Sequence, residues 1–151
     1  MSFPELSDHQ RLQSLAEFRY ALRRFLQFSE QAAAGAGLLP QQHQLMLQIA
    51  GAPDEVETTI SFVAERLGLR HNSVVELSKR CEEAGLVQRR HTSPDHRCVV
   101  LRLTAAGYRA LRSLSEVHAR ELEELAPSLL AALERIRRSA RTDAAVGEAR
   151  L

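Results

Sequence analysis

Cysteine is scarce in this 151-residue chain. Cys81 and Cys98 are its two thiols, and their seventeen-residue separation provides neither a disulfide framework nor a CxxC pair. No apolar run approaches the roughly 18 residues that a membrane span requires. The opening Met1-Ser2-Phe3-Pro4-Glu5 has no basic stretch and no apolar stretch of a secretory leader. The expectation is a cytoplasmic protein without a membrane partner. Catalytic motifs are missing too: there is no GxSxG, no HExxH, no GxxxxGK(S/T), and no GxGxxG behind a strand. Gly35-Ala36-Gly37 has no strand before it and reads as a helix terminator. No HxxxH or cysteine cluster offers metal-ligand spacing. Neither an enzyme nor a metal or other cofactor is expected.

What is present is enough apolar material for a core, 44% of residues, with 26% charged. The length suits one domain, or one domain with an appended element. The net charge of +1 conceals an uneven distribution. Residues 1–65 hold four basic and eight acidic side chains, whereas residues 66–102 hold eight basic and four acidic ones. The remainder is close to balanced. A basic patch on a small domain is the electrostatic footprint of nucleic-acid binding. An ordinary solvated surface is the alternative at this modest excess.

Hydrophobic periodicity predicts a long helix over 8–33, with Leu12, Leu15, Phe18, Leu22, Phe25, Leu26 and Ser29 on one stripe. Pro40 suits the first turn of a second helix running to Ala50, with Leu45, Met46 and Ile49 inward. Thr58 or Thr59 can cap a short helix from Ile60 to Leu67, broken by Gly68. Another helix follows from His71 to Glu83, with Val74, Leu77, Ser78 and Cys81 inward and Gly85 as terminator. The period then changes. Residues 86–91 and 98–103 read as two strands joined through Pro94-Asp95 as a hairpin. Thr104 caps a further long helix bearing Leu111, Leu114, Val117, Leu122 and Leu125. Pro127 is expected to interrupt it, a last helix to end near Arg138, and residues 139–151 to fray.

Two short helices hinged at a glycine make a helix-turn-helix, and the arginine-rich hairpin behind it makes a wing. The second helix can enter a major groove about 12 Å wide while the wing reaches the neighbouring minor groove. The apolar stripes of the end helices exceed what so small a central unit can cover, which predicts a two-fold dimer.

Ala64-Glu65-Arg66-Leu67-Gly68-Leu69, Asn72-Ser73-Val74-Val75, Glu82-Glu83-Ala84-Gly85-Leu86-Val87 with Arg89-Arg90, Asp95-His96-Arg97 and Leu103-Thr104-Ala105-Ala106-Gly107 follow one another in this order. The arrangement resembles the MarR family of transcriptional regulators across roughly residues 8–138. The resemblance implies a mainly α fold: a winged helix-turn-helix DNA-binding lobe at 39–104 with a small β-hairpin wing, and an all-helical dimerisation lobe from both chain ends. The first dimerisation helix is expected at 1–38, the C-terminal ones at 105–138, and a flexible tail at 139–151. It further implies a homodimer on double-stranded DNA with a palindromic operator, usually a repressor released by a small lipophilic or phenolic ligand. Some relatives respond to thiol oxidation instead. A winged helix used as a protein-interaction module, without DNA, is the other alternative.

Expected DNA contacts are His71, Asn72 and Ser73, at base edges in the first turn of the recognition helix, with Arg70, Lys79 and Arg80 along the same helix. Relatives often carry serine where this chain has Arg70, so a side-chain cap is not expected there. Glu76 either accepts from cytosine N4 or pairs with Arg80 one turn on. Arg89, Arg90 and Arg97 belong to the wing, and Asp95 either orients Arg97 or starts the turn. Cys81 reads as a small core residue and Cys98 as partly exposed; a redox role requires an accessible, acidified thiol. The family's usual ligand pocket points to Tyr20, His43 and His118, with Phe18 and Arg19 nearby.

Overall fold

The computed structural model describes residues 8–92 and 98–148. Five helices and one hairpin follow in the order α1 (Asp8–Gly35), α2 (Pro40–Ala50), α3 (Ile60–Leu67), α4 (His71–Glu83), β1 (Val87–His91), β2 (Val99–Leu103) and α5 (Ala105–Glu148). The fold is mainly α with a two-stranded antiparallel sheet. Two compact units are present, residues 30–117 and residues 8–29 with 118–148, and the divisions fall inside α1 and α5.

The unit of residues 30–117 is built around Leu45, Met46, Val63, Val74, Leu77, Cys81, Val87 and Leu101, all buried. They come from α2, α3, α4 and both strands, so one core fixes the helix-turn-helix and the base of the wing together. Each such apolar side chain stabilises the unit by about 1.5–3 kcal/mol on burial. The polar Ser78 inside this core is satisfied by its own helix, donating to the Val75 carbonyl at 2.8 Å. The α3–α4 turn depends on Gly68, whose φ of 65° lies in the left-handed region. Leu69 N–H then reaches the Ala64 carbonyl at 3.0 Å and Gly68 N–H the Glu65 carbonyl at 3.2 Å, closing the last turn of α3.

The two candidate caps of α3 divide the work. Thr59 Oγ1 accepts from the Phe62 amide at 3.1 Å, which makes it the N-cap. Thr58 instead donates its hydroxyl to the Leu101 carbonyl, while Leu101 N–H bonds the Thr58 carbonyl at 2.9 Å. With a bridge from Thr59 to Val100, the start of α3 is stitched to β2. In the hairpin Val87 pairs with Leu103, Arg89 with Leu101 and His91 with Val99, so these six side chains share one face.

Within the other unit His118, Leu125, Ala132 and Ser139 on α5, and Ser14 and Ala21 on α1, are buried at seven-residue intervals, and Ser29 is buried one step off that spacing. Phe25 and Phe28 meet His118 edge-on along the same seam, and Phe18 is half-buried on α1. Ser29 meets His118, while Ser14 shares a groove with Arg135, so the two segments run antiparallel. This corrects the single stripe expected on α1. Leu12, Leu15, Leu22 and Leu26 are 40–65% exposed, because the small Ser14 and Ala21 form the close-packing seam and the leucines fall beside it.

A second correction concerns Pro127. The expected break there does not occur, since α5 is continuous from Ala105 to Glu148. Proline removes one helical hydrogen bond and crowds the preceding turn. Pro127 is exposed on α5, where water can serve the carbonyl that loses its amide partner, and the helix continues past it.

Candidate nucleic-acid interface

The recognition helix α4 presents two faces. Val74, Leu77, Ser78 and Cys81 are buried, and His71, Asn72, Ser73, Glu76, Lys79 and Arg80 are exposed on the opposite side. Arg70 occupies the N-cap position in extended conformation (φ −69°, ψ 148°) and makes no side-chain cap bond. A guanidinium carries donors only and cannot cap backbone amides, so the first-turn amides of α4 are left open at this end. His71 sits close to Ser61, with Nδ1 3.5 Å from the hydroxyl oxygen.

Glu76 pairs with Lys79 at 3.0 Å rather than with Arg80. Arg80 instead lines a groove on the α2 side of the helix with Gln41. Arg80, Asn72, Ser73 and Glu76 line an open groove of about 470 Å³ together with Leu69 and Gln41. Gln41 was not foreseen from sequence. It follows Pro40 at the start of α2, and nothing in the periodicity of α2 says that this turn stands beside α4.

On the wing, Arg90 donates to Gln88 Oε1 at 3.1 Å, two residues away on the same face of β1. The amide of Arg89 donates to Glu82 Oε2 at 2.8 Å, which ties β1 to the last turn of α4. Arg89 Nε is buried and has no hydrogen-bond partner. Arg89 and Lys79, with His71, His91 and Cys98, line a second crevice of about 440 Å³ between α3, α4 and the hairpin. Asp95 and Arg97 lie outside the described residues.

The two thiols differ in setting. Cys81 is fully buried, and burial pushes its thiol up to about 11 against a smaller opposing pull from the Arg80 charge. Cys98 is half-buried at the entry to β2. Of the candidate ligand contacts, Tyr20 is exposed on α1 with the Arg24 guanidinium 5.9 Å from its ring. His118 is buried in the same unit, 2.7 Å from the Ser29 hydroxyl and edge-on to Phe25 and Phe28. Phe18 is half-buried there and Arg19 exposed, while His43 is buried on α2 in the other unit. Among the described residues no helix is long and apolar enough to cross a membrane.

Residues 36–97 match the family model described as MarR family. No curated protein matches the chain in sequence. Among solved structures, AbsC, a MarR family transcriptional regulator from Streptomyces coelicolor, is similar with a TM-score of 0.69 at 17% identity, covering 98% of this chain and 99% of that one. The M. tuberculosis transcriptional regulator MosR in complex with DNA has a TM-score of 0.54 at 24% identity, covering 87% and 90%. The S. aureus MepR–DNA complex has a TM-score of 0.66 at 15% identity, covering 85% and 93%.

Proposed function

We propose that this chain, whose residues 36–97 match the MarR family model, is a sequence-specific DNA-binding transcriptional regulator. It acts as a homodimer on a palindromic operator, as a repressor released by a small lipophilic or phenolic ligand. The observation that carries the reading is the exposed first turn of α4, where Asn72 and Ser73 border an open groove with Arg80. Similar folds bind DNA: MosR and MepR were both solved in complex with it.

In this reading Asn72 and Ser73 meet base edges, with His71 and Gln41 flanking them. Arg70, Arg80, Arg89 and Arg90 meet phosphates and set the register on the duplex. Arg97 reaches the minor groove from the wing tip, oriented by Asp95. Glu76 is held by Lys79 until the helix docks, when its carboxylate is free to accept from a cytosine amine. The dimer is supported by the exposed Leu12, Leu22 and Leu26 of α1 and Leu122, Leu130 and Leu133 of α5. So many leucines on two helices form apolar surface of the kind that a second copy covers. Tyr20, His43 and His118 are the proposed ligand contacts. The buried Cys81 thiol, held neutral, argues against a redox switch at that position.

Selection of bound duplexes from a random pool tests the reading, because it yields the palindrome and probes the dimer together. Half-sites about 34 Å apart, or a near multiple, are expected. Affinity falling by roughly 10³ or more between 50 and 200 mM salt is expected if about six to ten phosphates are contacted. A flat salt response with no enriched sequence would instead indicate a protein-interaction module.

A further inference from the structure

Two successive carbonyls just past the end of the recognition helix accept from one residue of another element. Gly85, at φ 72°, turns the chain out of α4, and its carbonyl accepts from the Thr104 hydroxyl at 2.6 Å. The Leu86 carbonyl accepts from the Thr104 amide at 3.1 Å. The same hydroxyl oxygen accepts from the Gly107 amide at 3.0 Å, as the N-cap of α5. Thr104 thus joins the start of α5 to the end of α4. Gly107 holds that first turn against Leu86, with no room for a Cβ between them. Beyond it, Leu111 and Leu114 of α5 enter the same core as Val74, Leu77 and Cys81 of α4. Capping α5 uses Thr104 only as an acceptor. The proton it gives to Gly85 is a second function, which the cap does not require.

We infer that Thr104 is a positioning residue that sets the pitch of the recognition helix, an inference that rests on the DNA-binding reading above. Asn72 and Ser73 stand in the first turn of α4, and Gly85 lies thirteen residues beyond Asn72. That separation is about 20 Å at 1.5 Å per helical residue. A pitch of roughly 3° moves one end of such a rod by about 1 Å against the other, twice the ~0.5 Å within which a directed contact holds. The buried face of α4 resists lifting the helix off its core, but apolar contact has no direction and fixes pitch weakly. Hydrogen bonds to two successive carbonyls supply the direction. Base-edge contacts depend on such placement, whereas attraction to phosphate falls off slowly with distance. Loss of the Thr104–Gly85 bond therefore lowers discrimination between sequences and leaves non-specific affinity in place.

Three substitutions in the full-length protein separate this bond from the cap. Thr104→Ser keeps both the acceptor for Gly107 and the proton for Gly85. Thr104→Asp keeps the acceptor, and its charge suits a helix N-terminus, but a carboxylate has no proton for Gly85. Thr104→Val loses both. The measurement is the ratio of affinities for the operator selected from the random pool and for a random-sequence duplex, at one salt concentration. A charge added at 104 acts on both duplexes alike, so the ratio cancels it. Thr104→Ser is expected to hold the native ratio within roughly threefold, and Thr104→Asp and Thr104→Val to lower it at least roughly tenfold. Thr104→Asp retains a cap for α5, so it keeps the test open should Thr104→Val fold poorly. A native ratio in Thr104→Asp or in folded Thr104→Val makes Thr104 a helix cap alone and refutes the proposal, while the DNA reading survives. A ratio in Thr104→Ser as low as in Thr104→Asp refutes it too, because the hydroxyl then does not rescue. A native chain that binds no duplex, or selects no operator, refutes the DNA reading, and the role of Thr104 falls with it.

Discussion

Alanine at position 107 should destabilise this protein, although helix propensity argues the opposite. Gly107 is buried in the first turn of α5, where its amide donates to the N-cap hydroxyl of Thr104 at 3.0 Å. In that turn the helix backbone lies directly against the strand entry. A Cβ at 107 meets the Leu86 carbonyl oxygen at 2.1 Å, its carbon at 3.0 Å and the Leu86 Cα at 3.3 Å. These neighbours are backbone atoms, so no side chain can rotate away. Glycine to alanine inside a helix gains about 1 kcal/mol in intrinsic preference. Overpacking a close-packed site costs about 1–3 kcal/mol and moves backbone. At the upper end of that range, which a backbone clash warrants, the net loss is about 1–2 kcal/mol. At about 2–4 °C per kcal/mol for a chain of this size, the melting midpoint should fall by about 2–8 °C. The same shift displaces Leu86 at the entry to β1, so DNA affinity should fall with it. Gly35→Ala is the control: nothing lies within 4 Å of the place its new Cβ would take, and the midpoint should hold or rise. Thermal melts of the three proteins decide the matter, and a Gly107→Ala midpoint at or above that of the native chain refutes the reasoning.

Asn72→Ala should cost about 1–3 kcal/mol on the selected operator and much less on random duplex; equal losses on both in parallel titrations would remove Asn72 from base reading. Leu12→Gln combined with Leu26→Gln, at positions 65% and 50% exposed, should leave monomer folding within about 0.5 kcal/mol yet shift sedimentation toward the monomer. An unchanged dimer would place the interface elsewhere. Pro127→Ala should raise the midpoint, because proline is about 3 kcal/mol less favourable than alanine inside a helix and α5 is continuous through that residue; an unchanged melt would show that the turn around Pro127 contributes nothing to the cooperative unit. The buried Cys81 thiol has its pKa raised from 9.0 to about 11. The stability it contributes by staying neutral is complete below pH 9 and lost as pH rises through 11, because the unfolded chain releases that proton first. Denaturant melts of the native chain and Cys81→Ala should therefore converge over this window and run parallel below it.

Local chemistry made much of this protein legible in its sequence. Pro40, Thr59, Gly68, Gly85 and Thr104 mark helix ends because caps and terminators act on neighbouring backbone groups, whatever the rest of the fold does. The switch from a period near four to a period of two, with Pro94-Asp95 between two short runs, announced a hairpin after the helix-turn-helix. The inward residues of α4 were readable because one face of a short amphipathic helix has one core to enter. Tertiary structure decided what depends on a partner surface. On α1 the leucines and the Ser14–Ala21 seam both recur at helical spacing, and only the approach of α5 selects the small residues as the close contact. Pro127 reads locally as a breaker, yet its exposure lets the helix continue. Glu76 had two partners within reach along α4, and the direction of each side chain gave it to Lys79. Gln41 carries no motif at all; it joins the interface because α2 packs beside α4, and that juxtaposition is set by the shared core, not by sequence spacing.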